Sequence, residues 1–243
     1  MHDTVTPSLH TNLDREHRAG KARKMLRLLR GHVVLDGASV LEIGTGSGVI
    51  AETFKECVGP SGDVWAVDVV DQRLDRDAVG FRIVTGTALP FADQAFDLVV
   101  SNHVIEHVGD LERQANHVRE IVRVLRPGGY LYLATPNRFA PVEPHFKLPL
   151  LSWLPDGSRS AYVRIARRGE QYDCWPLTRG RLVRLLEEGG LEATDVSREA
   201  IEALIDEERP SGAVRGLALA SRFLYPIARP VLPTFIFLAS RPP

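Results

Sequence analysis

Strand-like and helix-like runs alternate along most of this chain, and no other feature restricts its fold as tightly. "SVLEI" (39–43), "DVWAVD" (63–68), "FRIVTG" (81–86), "FDLVVSN" (96–102) and "YLYLATPN" (130–137) read as five short apolar strands. "SGVIAETFKECV" (47–58) reads as a helix, and a second helix is expected after "DVWAVD". "GDLERQANHVREIVRVLRPGG" (109–129) reads as a third, with Leu111, Ala115, Val118, Val122 and Leu125 on one face and a stop at Pro127 and two glycines. Parallel strands need long crossovers, usually helices, where antiparallel ones need only a turn. The alternation therefore predicts an α/β fold, a parallel sheet with helices on both faces.

The remainder divides around that pattern. Residues 1–12 read as a loose terminus, and residues 14–36 begin with a basic amphipathic helix carrying Ala22, Leu26 and Leu29 on one side. The cofactor-binding half spans 38–137. Residues 138–176 break the rhythm with five prolines and with Trp153, Tyr162, Tyr172 and Trp175, as a functional lid does. Residues 177–243 resume it: "LTRGRLVRLLEEGG" is a helix capped by Thr178 and ended by Gly189, "LEATDVS" is a sixth strand, 199–229 holds one or two helices, and "PTFIFLASR" is the last strand. The 243 residues suffice for one domain. A net charge of -1 gives no field to draw in nucleic acid. Cys57 and Cys174 show no ligand or redox spacing, and the polar start lacks the apolar core of a signal peptide, so a cytoplasmic location is expected.

The segment "VLEIGTGSGVIA" (40–51) places Gly44, Gly46 and Gly48 between a strand and a helix. Glycine loses more entropy on folding than any other residue, so three in five positions mark a backbone that bends sharply and lets a ligand approach. A strand, a glycine turn and a helix form a nucleotide-binding element. The dinucleotide pattern wants Gly-x-Gly-x-x-Gly, but Val49 stands at its third glycine. Glu42 suits a cationic amine better than a pyrophosphate. A ligand with an ammonium, a carboxylate and a ribose fits, which describes S-adenosylmethionine.

"VLEIGTGSG" resembles motif I of the class I S-adenosylmethionine-dependent methyltransferases. That resemblance implies a Rossmann-like, seven-stranded, mostly parallel sheet with the last strand antiparallel and a helical lid inserted. It places Glu42, Gly44, Thr45, Gly46 and Gly48 at the cofactor, and Asp68 in "VWAVDVVDQRL" on the ribose hydroxyls. In "GTALPFADQAFDLVVSN" Thr87 replaces the family's acid, leaving Thr87 or the backbone of Ala88 to meet the adenine. "VIEHV" and "LRPGGYLYLATPN" are similar to the branch that includes quinone-biosynthesis and sugar or antibiotic methyltransferases.

Ligands of open α/β sheets lie beyond the carboxyl ends of the strands. That singles out Ser101, Asn102 and His103 after the fourth strand and Pro136 and Asn137 after the fifth. A hydroxyl acceptor calls for a base: His145 in the lid is the first choice and His107 the second. No metal is expected, since no acid cluster or zinc spacing stands out. The expected activity is methyl transfer to a small-molecule hydroxyl. The alternative is a non-catalytic S-adenosylmethionine-binding partner or regulatory protein. The segment 212–237, with Leu217, Leu219, Phe223, Leu224 and Ile227 among Arg215, Arg222 and Arg229, allows core packing, a homodimer contact or a membrane-surface contact. The membrane contact would go with a lipid or lipid-linked sugar acceptor.

Overall fold

The computed structural model describes residues 14–208 and 212–243; the expected loose terminus lies outside the described residues. Seven strands are β1 (Ser39–Ile43), β2 (Asp63–Asp68), β3 (Gly80–Ile83), β4 (Phe96–Asn102), β5 (Leu125–Pro136), β6 (Glu192–Asp195) and β7 (Thr234–Ser240). They form one sheet in the order β3-β2-β1-β4-β5-β7-β6. β1 to β5 run parallel, and β7 is antiparallel to both β5 and β6.

Alternation along the strands builds two cores. Leu41, Val99, Leu131, Leu133 and Phe237 face one side, where they meet α3 (Leu111–Val124) and α5 (Arg179–Glu188). Val40, Leu98, Val100, Tyr132 and Leu238 face the other, against α1 (Arg15–Leu29), α2 (Val49–Val58) and α6 (Ser197–Ala203). Both faces are covered, so these strands read as continuous apolar runs. Helix ends match the sequence chemistry. Asp14, Asp110 and Thr178 cap α1, α3 and α5 through their side chains.

Two expectations need correction. There is no helix between β2 and β3. Asp71 and Asp75 accept hydrogen bonds from the backbone N–H two residues on, the local competition that keeps aspartate out of helices. Arg73 then ties the bend together through the Asp71 carboxylate and the Arg76 and Val79 carbonyls. On α3 the buried face is Gln114, His117, Val118, Ile121 and Val124, while Leu111 is exposed. Polar residues enter the core there because each finds a partner: Gln114 Nε2 donates to the Ile105 and Trp175 carbonyls, and His117 Nε2 meets Ser101 Oγ at 3.3 Å.

Residues 138–176 carry α4 (Asp156–Ile165) and a small core of Phe146, Leu148, Leu151, Val163, Tyr172 and Cys174. Their entrance is pinned by Asn137, which is buried: its Nδ2 donates to the Pro230 and Leu232 carbonyls at 2.8 and 2.9 Å, and its Oδ1 accepts from Phe139 N. After α6 come α7 (Gly212–Phe223) and α8 (Tyr225–Ala228). Phe223, Leu224 and Ile227 are exposed there, which departs from packing on the sheet, and the side chains of Leu217 and Arg222 lie outside the description. No helix among the described residues is long and apolar enough to cross a membrane.

Asn137→Ala removes the partner of the buried Leu232 carbonyl and of the part-buried Pro230 carbonyl and Phe139 N–H. Loss of roughly 2–3 kcal/mol is expected from such unsatisfied groups. In a domain this size that lowers Tm by roughly 5–10 °C in a calorimetric scan. A change under 2 °C would show that the lid entrance is held elsewhere.

Candidate active site

The loop after β1 is bent at all three glycines, with φ of +73° at Gly44, +55° at Gly46 and +81° at Gly48. A Cβ at Gly44 would overlap Val104 Cγ2, so the loop packs directly on the chain leaving β4. What shapes the loop is Glu42, which is fully buried. Its Oε2 accepts from Thr45 Oγ1 at 2.6 Å and from Ala51 N, in the first turn of α2, at 3.0 Å. Its Oε1 faces Arg18 Nη2 at 3.8 Å, and that same nitrogen donates to the Thr45 carbonyl at 2.8 Å. The sequence reading set Glu42 and Thr45 against a ligand. The structure turns both side chains into the loop, where Thr45 Oγ1 donates to Glu42 Oε2 and both residues are buried. Burial pushes the Glu42 carboxyl up to about 7, with Arg18, Thr45 and Ala51 N only partly offsetting it.

Asp68 ends β2 and reaches over this loop. Its Oδ2 accepts from Gly46 N at 2.8 Å and its Oδ1 from Val69 N at 2.7 Å. Val69 and Val70, half-exposed beside it, offer an apolar wall. Thr87 is partly buried and Ala88 exposed in the turn after β3. An adenosine-bearing ligand fits this lining: a glycine-bent loop whose Gly46 N–H is held by Asp68, the Asp68 carboxylate at the strand end, and apolar surface at Val69 and Val70 beside it.

A second group of side chains gathers beyond β4. His103 takes φ of +59°, strained for a non-glycine residue, and its N–H is held by the Ala134 carbonyl. Its Nδ1 lies 3.1 Å from Glu106 Oε1. His145 Nδ1 lies 2.9 Å from Glu143 Oε1, and its Nε2 faces His107 Nε2 at 3.3 Å and Glu106 Oε1 at 3.5 Å. Thr135 Oγ1 donates to Glu106 Oε2 at 3.2 Å, and Cys174 Sγ lies 3.8 Å from His107 Nδ1. Glu106 and Glu143 are buried. Burial works against the Glu106 charge, but the His103 hydrogen bond and three imidazoles outweigh it and hold the carboxyl well below the usual range. Burial also opposes a charged His145, yet the Glu143 hydrogen bond and the Glu106 charge raise it above the ordinary histidine value. His117, buried away from the cluster, is pushed down to about 4 by desolvation.

Thus both histidines chosen from the sequence meet, although 38 residues separate them. Ser101 does not join them: its hydroxyl is buried toward His117. Asn102 and His103 instead line a cavity of about 310 Å³ with Lys21, Lys24, Ala134 and Leu232. Sequence reasoning missed Glu106, Glu143, Cys174 and Arg18. The first had a signal: His103-x-x-Glu106-His107 is a spacing that lets one turn offer two imidazoles and a carboxylate together.

Fold and loop together define an S-adenosylmethionine-dependent methyltransferase of class I. Comparison with known proteins agrees. Residues 41–133 match a methyltransferase domain family. The chain is 31% identical over 170 residues to a ubiquinone biosynthesis O-methyltransferase of Rhizobium etli, covering 66% of this chain and 62% of that protein. It is 30% identical over 178 residues to the ubiquinone/menaquinone biosynthesis C-methyltransferase UbiE of Cupriavidus metallidurans, covering 67% and 70%. The crystal structure of an S-adenosylmethionine-dependent methyltransferase from Mesorhizobium loti superposes with a TM-score of 0.62 at 18% identity over 91% of this chain and 100% of that one, a likeness of fold. The chain belongs to the S-adenosylmethionine-dependent methyltransferases, and S-adenosylmethionine is the cofactor of that family.

Glu42 yields a pH test. Its carboxyl titrates near 7 when folded and near its ordinary 4.5 when unfolded, so between those values the folded state holds the extra proton. Stability from this group is present below about pH 4.5 and is lost as pH rises toward 7. The loss is on the order of 3 kcal/mol at about 1.4 kcal/mol per unit. Glu42→Gln stays neutral throughout. The variant's Tm minus that of the native chain should therefore become more positive from pH 5 to about 7 and level off above it. A difference independent of pH would mean Glu42 is ionised at its ordinary value.

Proposed function

We propose that this chain transfers a methyl group from S-adenosylmethionine to a hydroxyl oxygen of a small-molecule acceptor. The observation that carries the reading is His145, backed by the buried Glu143 carboxylate and standing with His107 on the strand-end side that also bears the glycine loop. The relatives' names support a quinone-type acceptor but include both oxygen and carbon methylation. The oxygen reading rests on the histidine pair, because a hydroxyl must shed its proton.

Bound S-adenosylmethionine supplies a methyl carbon activated by sulfonium. This chain's part is alignment and proton removal. The glycine loop and Asp68 fix the cofactor. Glu143 accepts from His145 Nδ1–H, which leaves Nε2 facing the site as the basic nitrogen. The lid's small core holds the loop bearing His145 in place through Phe146.

Two variants separate binding from chemistry. Asp68→Asn keeps one acceptor for the loop amide but loses the charge, so Kd for S-adenosylhomocysteine by titration calorimetry should rise roughly tenfold or more. His145→Ala should leave that Kd within about twofold and lower kcat on a panel of catechol and phenol acceptors by roughly 10²–10⁴. Cofactor binding with no turnover on any acceptor would favour a non-catalytic binding protein instead.

A lipid-like acceptor is the second part of the reading. It is favoured by Phe223 and Ile227, 80% and 78% exposed on α7 and α8, beside the chain that brings Leu232 to the cavity. Flotation with anionic liposomes at low salt is expected to carry part of the protein upward. Recovery wholly in the soluble fraction would leave a water-soluble acceptor.

A further inference from the structure

α1 carries His17, Lys21 and Lys24 at i, i+4 and i+7, so the three lie along one stripe of the helix. That stripe lines the cavity of about 310 Å³ where β4 and β5 end and β7 begins. The rest of the wall is largely apolar. Ala200, Ile201 and Leu204 follow the same helical spacing on α6 and the turn after it, and Leu232 and Ile236 come from the start of β7. Among the described residues that line the cavity there is no aspartate or glutamate. Lys24 is only 8% exposed, so its charge stands where water screens it little and an anion is drawn more strongly than at an open surface. Lys21 and Lys24 also interact within the protein, and what an entering ligand meets is the sign of the whole lining, which is cationic. The acids on the stretch that meets the far end of α1, Glu202, Asp206 and Glu207, bear on Arg27, and none of them is among those lining residues.

The stripe has a direction. Arg18 Nη2 donates to the Thr45 carbonyl in the glycine loop at 2.8 Å, and Arg27 Nη1 donates to Asp206 at 2.6 Å, so α1 runs from the cofactor loop toward the end of α6. Lys21 and Lys24 stand about 4.5 and 9 Å past Arg18 along the helix axis. His103 lines the same cavity at the cofactor end. Its neighbour Val104 packs on Gly44, and its ring centroid lies 5.9 Å from that of His145.

We propose that this cavity receives the methyl acceptor, and that Lys21 and Lys24 select one that carries an anionic group on an apolar body. The hydroxyl lies at His103 beside His145, and the anion lies further along α1. This deepens the proposed function and rests on it for the occupant's being the acceptor. The volume is at the small end for ligand sites and suits a ring system with a short substituent. The carboxylate of the cofactor itself is the other source of an anion for the same lysines, and the experiment separates the two.

The test uses the full chain and two fluorescent probes with the same aromatic body, anilinonaphthalene sulfonate, which is anionic, and phenylnaphthylamine, which is neutral. Both are expected to bind saturably. Lys21→Gln and Lys24→Gln should each weaken the sulfonate roughly tenfold and leave phenylnaphthylamine within about twofold. Ala200→Leu, which narrows the cavity without touching its charge, should weaken both probes. Circular dichroism on the same samples reports folding, and Kd for S-adenosylhomocysteine should stay within about twofold in the lysine variants. Sulfonate binding that is absent, or unchanged in both lysine variants, overturns the anion selectivity. So does an equal loss of both probes in those variants, which would make the lysines part of the wall only. Probe binding indifferent to Ala200→Leu overturns the cavity as the site. A tenfold rise in the S-adenosylhomocysteine Kd of the lysine variants assigns them to the cofactor's carboxylate and overturns the proposal. Failure of the native chain to bind S-adenosylhomocysteine would instead overturn the methyltransfer reading, and the two probes would still report whether the cavity prefers an anion.

Discussion

The buried carboxylate of Glu42 is the constraint on which the cofactor end depends. It draws together the loop through Thr45, the start of α2 through Ala51 N, and α1 through Arg18. A helix N-terminus favours negative charge, and Arg18 adds a positive one, yet complete burial still lifts the group toward neutrality. The loop's shape is thus held from inside, and Asp68 ties it to the end of β2 through Gly46 N, so the bent turn has one arrangement. Such pre-organisation lowers the ordering cost of binding.

The cluster beyond β4 is held by a different balance of charge. Two buried carboxylates, Glu106 and Glu143, stand among three imidazoles. Each carboxylate is satisfied by backbone or side-chain donors, the His103 and His145 rings are turned by carboxylates, and the His107 ring sits between His145 and Cys174. The two ends are mechanically joined. Val104, between His103 and the Ile105–His107 turn, fills the space that a side chain at Gly44 would need. A shift in the glycine loop is therefore felt at the histidines.

The strands and most helices were legible because apolar alternation and capping residues act locally. Thr178, Gly189 and the glycine loop are examples. The missing helix after β2 was not, because its competitor is a side chain: Arg73 satisfies carbonyls that a helix would have bonded internally. The face of α3 was misread for a related reason. Gln114 and His117 look solvent-facing until the carbonyls and hydroxyl that receive them come from other segments. Asn137 likewise stands where a ligand contact was expected and holds the lid entrance instead.

By itself the sequence determined the mostly parallel α/β sheet, the bent glycine turn at 44–48 and the acid that ends β2, since each is a pattern within a few neighbouring residues obeying short-range backbone and hydrogen-bonding rules. Only the tertiary structure decided which side chains turn inward to hold the scaffold and which gather beyond the strand ends. Glu42, Thr45 and Ser101 turned inward, whereas Glu106 and Glu143 joined His107 and His145 to make the cluster. The reason is that burial sets the cost of an unpaired charge, and partners 38 residues apart are brought within hydrogen-bond range only when the lid folds back over the end of β4.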